Sequence, residues 1–279
     1  MKTLLLKDKL FCIDKPIVMG VVNITKDSFF ANSRAQSEKE ILHKVEKHIS
    51  EGAHIIDIGA QSTRPGAEMK NEKDELEQIV LALKLIKKHF KIPVSVDTFH
   101  SEIAKITIEE GADLINDVSG GQQDSEMFKV LSQKKIPFIC GHLKGDITEM
   151  LSKKNTTYKN IVLEIAEYFK QKKELALQHG IHDIIFDIGF GFSKLMKDNY
   201  LLIKNLEVFK TLFDNILMVG VSRKSSIFKL LDIKPEEALN GTTVLHSLAL
   251  LNGADILRVH DVKEAIETVK IIEYYKSIQ

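Results

Sequence analysis

The chain carries no surplus of either charge, has almost no cysteine and contains no long apolar run. Each shortage removes a class of protein. Lys+Arg and Asp+Glu both number 39, so bulk nucleic-acid or membrane-surface binding is not expected, and only a local basic pocket remains open. The two cysteines, Cys12 and Cys140, sit in apolar runs without metal-ligand spacing, so buried free thiols in a reducing compartment are expected. No apolar run is long enough to span a bilayer, and Leu4-Leu5-Leu6 is too short for a signal-peptide core. A cytoplasmic location is expected. No G-x-G-x-x-G follows the first predicted strand, and no Ser-His-Asp or Cys-His set is evident. No linker or low-complexity stretch interrupts the 279 residues, so one domain over 1–279 is expected.

What is present is a repeated pattern: a short apolar strand that ends on polar residues. Val94-Ser95-Val96 runs into Asp97-Thr98, Ile55-Ile56-Asp57-Ile58-Gly59 into Thr63-Arg64, and Leu114-Ile115 into Asn116-Asp117. Ile184-Ile185-Phe186 runs into Asp187, Val219-Gly220-Val221 into Ser222-Arg223-Lys224, and Ile256-Leu257 into Arg258-Val259-His260. Strands are predicted at 17–22, 54–59, 93–97, 114–117, 137–141, 184–187, 216–221 and 256–259. Helices alternate with them, among them 72–89, 101–110, 125–134, 158–179, 199–211, 239–252 and 262–276, with one more from about Ser225. In the first helix Ser37 reads as the N-cap and Glu40 completes a capping box; the helix stops near Gly52. Near-continuous apolar strands alternating with helices predict an α/β fold, a (β/α)8 TIM barrel, with a short hairpin over 4–12 closing its bottom. A doubly wound open sheet is the alternative. In a parallel barrel the C-terminal strand ends share one face, so the polar residues converge there.

Three polar sets follow. Asp97, Asn116 and Asp187 end different strands and suit a flat heterocycle with several N–H donors, because an ionised carboxylate accepts two parallel hydrogen bonds. One such acid could equally cap the next helix; three on separate strands shift the balance. Arg64, Lys194, Arg223, Lys224, Arg258 and His260 form a cationic set that implies a phosphate or carboxylate. Arg258 and His260 are two apart on one strand and so point to the same side; Lys194 is as readily a solvated surface residue. The loops at 23–32 and 60–70 are long for a barrel and suit lids. Phe29 and Phe30 there either cover an aromatic substrate or pack under the loop. His142, His246 and Cys140 read as structural.

Taken in order, these residues resemble the dihydropteroate synthase family of pterin-binding enzymes. The resemblance is carried by Met19 to Thr25 with Asp27-Ser28-Phe29, Asp57-Ile58-Gly59 with Ser62-Thr63-Arg64-Pro65-Gly66, and Ser95-Val96-Asp97-Thr98. It continues through Ile115-Asn116-Asp117, Asp187 to Phe192, Gly220 to Ser225 and Arg258 to Val262. It implies a transferase that joins 6-hydroxymethyl-7,8-dihydropterin diphosphate to 4-aminobenzoate. By that likeness Asp97, Asn116, Asp187 and Lys224 hold the pterin. Asn23, Thr63, Arg64, Arg258 and His260 hold the diphosphate, with Mg2+ near Asn23. Ser222, Phe29, Pro65 and Phe190 receive the aminobenzoate. Asp97, Arg258, His260 and Lys224 are the implied catalytic set, the partners are small molecules, and a homodimer is implied. The chain departs from the family pattern at Lys26, at Phe30 to Ser33, where Ala31 replaces an acid, and at Ile188. Gly141 replaces a methionine, which implies a roomier pterin pocket.

Two other readings share the pocket. A methyltetrahydrofolate-dependent corrinoid methyltransferase would not need the anion site of Ser222 to Lys224 and Arg258 to His260. A non-catalytic pterin-binding protein would not need Thr63, Arg64, Arg258 and His260. Retention of both groups favours the synthase.

Overall fold

The structure is a computed structural model and describes residues 2–24, 34–61 and 69–278. Phe29, Thr63, Arg64, Pro65 and the departures at Lys26 and Ala31 lie outside the described residues. Two antiparallel strands, β1 (Lys2–Leu6) and β2 (Lys9–Ile13), form a hairpin. Eight parallel strands follow: β3 (Ile17–Asn23), β4 (Ile55–Gly59), β5 (Val94–Asp97), β6 (Leu114–Asp117), β7 (Phe138–Gly141), β8 (Ile184–Asp187), β9 (Ile216–Val219) and β10 (Ile256–Val259). They close in the order β10-β3-β4-β5-β6-β7-β8-β9, a TIM barrel. The intervening helices are α1 (Arg34–Ser50), α2 (Glu72–His89), α3 (Ser101–Glu109), α4 (Met127–Lys134), α5 (Ile161–Gln178), α6 (Met196–Lys204), α7 (Leu206–Leu212), α8 (Ser225–Leu231) and α9 (Leu239–Leu251); α10 (Val262–Ser277) closes the chain. No helix of the described residues is long and apolar enough to cross a membrane.

Strand parity divides the core in two. Met19, Ile55, Leu114, Ile139, Ile185, Met218 and Ile256 fill the barrel interior and cluster with Leu4, Leu6 and Ile13 of the hairpin. The hairpin therefore plugs the bottom, as expected. The alternate residues, such as Val18, Ile56, Ile115, Phe186 and Leu257, pack against the helices. The same alternation turns Cys12 outward. It pairs in register with Thr3 and is exposed, whereas Cys140 is buried. The expectation of two buried thiols holds for Cys140 alone.

A Gly-Ala-Asp device recurs at the barrel bottom. Gly111 and Gly253, at φ +109° and +100°, end α3 and α9 in the left-handed conformation that favours glycine. The acid two residues on then accepts the amide of a neighbouring strand: Val94 N donates to Asp113 Oδ2 at 2.8 Å, and Leu217 N to Asp255 Oδ2 at 2.9 Å.

The clearest departures from the expected helices are in α1 and in the stretch 199–211. Helix α1 begins at Arg34, so Ser37 lies in its first turn and is not its cap. The helix expected over 199–211 is broken at Asn205, whose side-chain Nδ2 donates to Leu201 O at 2.7 Å. A backbone-seeking amide side chain of this kind competes with the helix ladder.

Candidate active site

Parity also builds the site. Asp57, Asn116, Asp187 and Arg258 each stand two residues beyond an inward apolar residue of their strand, and Asp97 pairs in register with Asn116. They form a polar layer above the apolar plug, at the C-terminal rim. Arg258 organises it. Its Nε donates to Asp57 Oδ2 at 2.7 Å and its Nη2 to Asp97 Oδ2 at 2.6 Å. Asn116 Nδ2 lies 3.3 Å from Asp57 Oδ2. The Asp57 side chain is fully buried, while those of Asp97 and Arg258 are 19% and 22% exposed. Asp57 is thus the buried counter-ion that holds Arg258, and Asp97 faces the rim.

Burial pushes the Asp97 carboxyl up to about 7; Arg258 opposes that rise, and Asp57, Glu75 and Asp117 add to it. Burial alone would lower the Arg258 guanidinium, but Asp57 and Asp97 carry it upward, so it stays charged. Burial draws the Lys224 ammonium down to about 8 against the pull of Asp187. Lys224 Nζ donates to Phe190 O and stands 4.5 Å from the centroid of the Phe192 ring. Asp187 Oδ1 accepts from Gly189 N at 2.9 Å.

The other residues singled out in the sequence fall into different places. Asn23 ends β3 with an exposed side chain. Ser222 is buried, and its Oγ accepts from His260 N at 3.3 Å, which joins the β9 and β10 ends. Arg223 is turned away from the rim: Nε and Nη2 grip Asp261 at 2.8 and 3.0 Å. It is an ion-paired strut and not a free anion donor. Lys194 is buried and bonded to His142, not solvated. Phe190 requires a correction. Its side chain has no exposed surface and belongs to the core between barrel and helices. The phenylalanine that reaches the rim is Phe192, which packs on the apolar cluster of Phe99, Val118, Leu143, Ile147 and Met150. Two-residue parity in the Gly-Phe-Gly-Phe run was the available signal, because both rings read alike in sequence.

The pocket is not widened at Gly141 either. A Cβ there would stand 2.5 Å from Val118 O and 2.7 Å from Val118 Cα. The loop after β6 has closed over the space, tied by Tyr168 Oη, which donates to Gly141 O at 2.8 Å and Ser119 O at 3.0 Å.

A barrel that ends in a layer of carboxylates, an amide and paired cations, beside an apolar cluster, gathers its polar groups at the C-terminal rim, where barrel enzymes carry their active sites. The family model described as "Pterin binding enzyme" matches residues 19–260, and the chain belongs to that family. Its relatives narrow the class to the dihydropteroate synthases. The dihydropteroate synthase of Synechocystis is 38% identical over 259 residues, covering 92% of this chain and 89% of the relative. That of Bacillus subtilis is 34% identical over 263 residues, covering 93% and 88%. Among solved structures, a Yersinia pestis dihydropteroate synthase in a sulfonamide drug complex superposes with a TM-score of 0.91 at 30% identity over 100% of both chains. A Xanthomonas albilineans dihydropteroate synthase in complex with 7,8-dihydropteroate does so with a TM-score of 0.87 at 26% identity, again over 100% of both.

Proposed function

We propose that this chain condenses 6-hydroxymethyl-7,8-dihydropterin diphosphate with 4-aminobenzoate, giving 7,8-dihydropteroate and pyrophosphate in folate biosynthesis. The observation that carries the reading is the Asp57–Arg258–Asp97 array beside Asn116 at the rim. Ionised Asp97 and Asp187 accept ring N–H bonds, with Asn116 and Lys224 completing the pterin contacts. Asn23, Thr63, Arg64, Arg258 and His260 take the diphosphate; Ser222 takes the aminobenzoate carboxylate, with Phe29, Pro65 and Phe192 around its ring. The C–O bond to the diphosphate breaks and its electron pair leaves with the phosphate. The methylene cation left behind is conjugated to the pterin, and Asp97 faces it with negative charge. The arylamine nitrogen then attacks the methylene carbon and loses a proton. No strong base is needed for that step.

Mg2+ fits this reading. Asn23 offers a hard, exposed amide oxygen at the rim, and Mg2+ characteristically binds through one or two protein oxygens plus substrate phosphates. When bound, the ion neutralises charge on the leaving diphosphate. The packing of Leu4, Leu6 and Ile13 into the barrel bottom supports one domain over the whole chain. A homodimer is supported by an apolar outer face: Val244, Leu248 and Leu251 on α9, and Ile271, Tyr274 and Tyr275 on α10, are all exposed at helical spacing. Sedimentation velocity tests it, with a monomer at micromolar concentration as the contrary result.

The deciding assay is coupled pyrophosphate release with dihydropterin diphosphate, 4-aminobenzoate and Mg2+, the product identified by mass. Dihydropteroate is expected only when all three are present. Arg258→Ala is expected to abolish turnover while keeping part of the pterin affinity; unchanged turnover would remove Arg258 from the diphosphate site.

A further inference from the structure

Lys194 has no place in the contacts proposed above, yet it is 5% exposed and its ammonium is ringed by acceptors. Nζ donates to His142 O at 3.1 Å and to Gly189 O and Phe192 O, both at 2.9 Å. It also stands 2.9 Å from His142 Nδ1, so four acceptors surround three N–H bonds and the two His142 acceptors share one of them. His142 follows β7, and Gly189 and Phe192 lie on the loop after β8. One cation thus ties two neighbouring rim loops together. The preceding residue adds a second tie. Ser193, at φ +50°, accepts from Lys144 N on Oγ at 2.9 Å and donates back to Lys144 O at 3.1 Å. Tyr158 Oη donates to Ser193 O at 3.0 Å.

What these ties hold is the segment 189–192, and that segment touches two pterin-site residues. Gly189 N donates to Asp187 Oδ1, Phe190 O accepts from Lys224 Nζ, and the Phe192 ring lies under the same ammonium. Packing alone does not account for a lysine here. A buried ammonium is unfavourable unless its protons are all bonded, and an apolar side chain of similar volume fills such a site without that cost. Burial accordingly draws the Lys194 ammonium well below its ordinary range.

We propose that Lys194 is a positioning residue: it locks the β8 loop to the β7 loop and so holds Asp187 and Lys224 in place for the pterin ring, without touching substrate. The proposal rests on the pterin reading above. Its test is steady-state kinetics of the wild type, Lys194→Met and His142→Phe, with each substrate varied in turn and thermal melting in parallel. Lys194→Met is expected to raise KM for the dihydropterin diphosphate about tenfold, with KM for 4-aminobenzoate held within about twofold. His142→Phe keeps the ring contact with Tyr168, at 4.8 Å between centroids, and removes only the acceptor. It is expected to raise the same KM about threefold. A purely structural role would lower the active fraction, and with it kcat, and move neither KM. No rise in KM for the pterin substrate, or equal rises for both substrates, overturns the proposal. If Lys194→Met does not fold, His142→Phe decides by the same criterion. A wild type that forms no dihydropteroate overturns the pterin reading instead, and the loop proposal falls with it.

Discussion

The titration of Asp97 gives the sharpest test of the site. Its carboxyl is pushed up to about 7 by burial, against the Arg258 guanidinium 2.6 Å away. An acid raised in this way is protonated below its midpoint, so a ligand that needs the carboxylate binds better as pH rises. With a midpoint near 7, the ionised fraction falls from about nine-tenths at pH 8 to about one-tenth at pH 6. Affinity for the dihydropterin ring is then expected to weaken by about tenfold over that interval, roughly 1.4 kcal/mol. Binding captures the anion, so Asp97 itself releases about one proton per site at pH 6 and almost none at pH 8. Calorimetry in buffers of different ionisation enthalpy measures both quantities. Arg258→Met removes the opposite charge, which holds a carboxyl down by about 1–3 pK units at such range, so the midpoint should move upward. Asp97→Asn should remove this part of the slope, leaving only the Lys224 titration near 8, and weaken binding. A wild-type affinity that is flat from pH 6 to 8 with no proton release, or a midpoint that moves down in Arg258→Met, would refute the reasoning.

Three further outcomes follow from packing. Gly141→Ala sets a Cβ against the Val118 backbone, which cannot rotate aside as a side chain does; a loss of about 1–3 kcal/mol in urea unfolding is expected, and a neutral substitution would mean that the loop after β6 yields freely. Leu4→Ala opens a cavity in the plug at a side chain 1% exposed, costing about 2–5 kcal/mol in the same measurement; below about 1 kcal/mol the hairpin would not be part of the core. A chromogenic thiol reagent should label exposed Cys12 in the native protein and reach Cys140 only after unfolding, because that thiol is buried and pushed up to about 12; rapid labelling of both would contradict the burial.

Much of this molecule was readable as text because its strands obey a period of two and α1, α3, α5 and α9 stop at Gly52, Gly111, Gly180 and Gly253. The barrel, its hairpin plug and the acids at the strand ends all follow from local pattern. Pairing did not follow. Asp57 reads like a strand residue among isoleucines, and its partner Arg258 lies 201 positions away. Nothing local distinguishes Arg223, committed to Asp261, from Lys224 beside it, which faces the loop after β8. Phe190 and Phe192 differ only in which side of one turn they leave, and only burial shows that Phe190 is the ring in the core. Gly141 reads as missing volume, and only the neighbouring loop shows that the volume is filled.

By itself, then, the sequence determined the barrel, the face on which polar residues gather and, by family likeness, the chemistry expected there. These are properties of alternation, helix termini and motif order, all written within a few residues. Tertiary structure alone decided which acid faces the rim and which stays buried as counter-ion, which phenylalanine reaches the rim, and that a lysine is buried between the loops after β7 and β8. Those outcomes depend on desolvation and on distances between groups brought together by barrel closure, and neither is encoded in the spacing of residues along the chain.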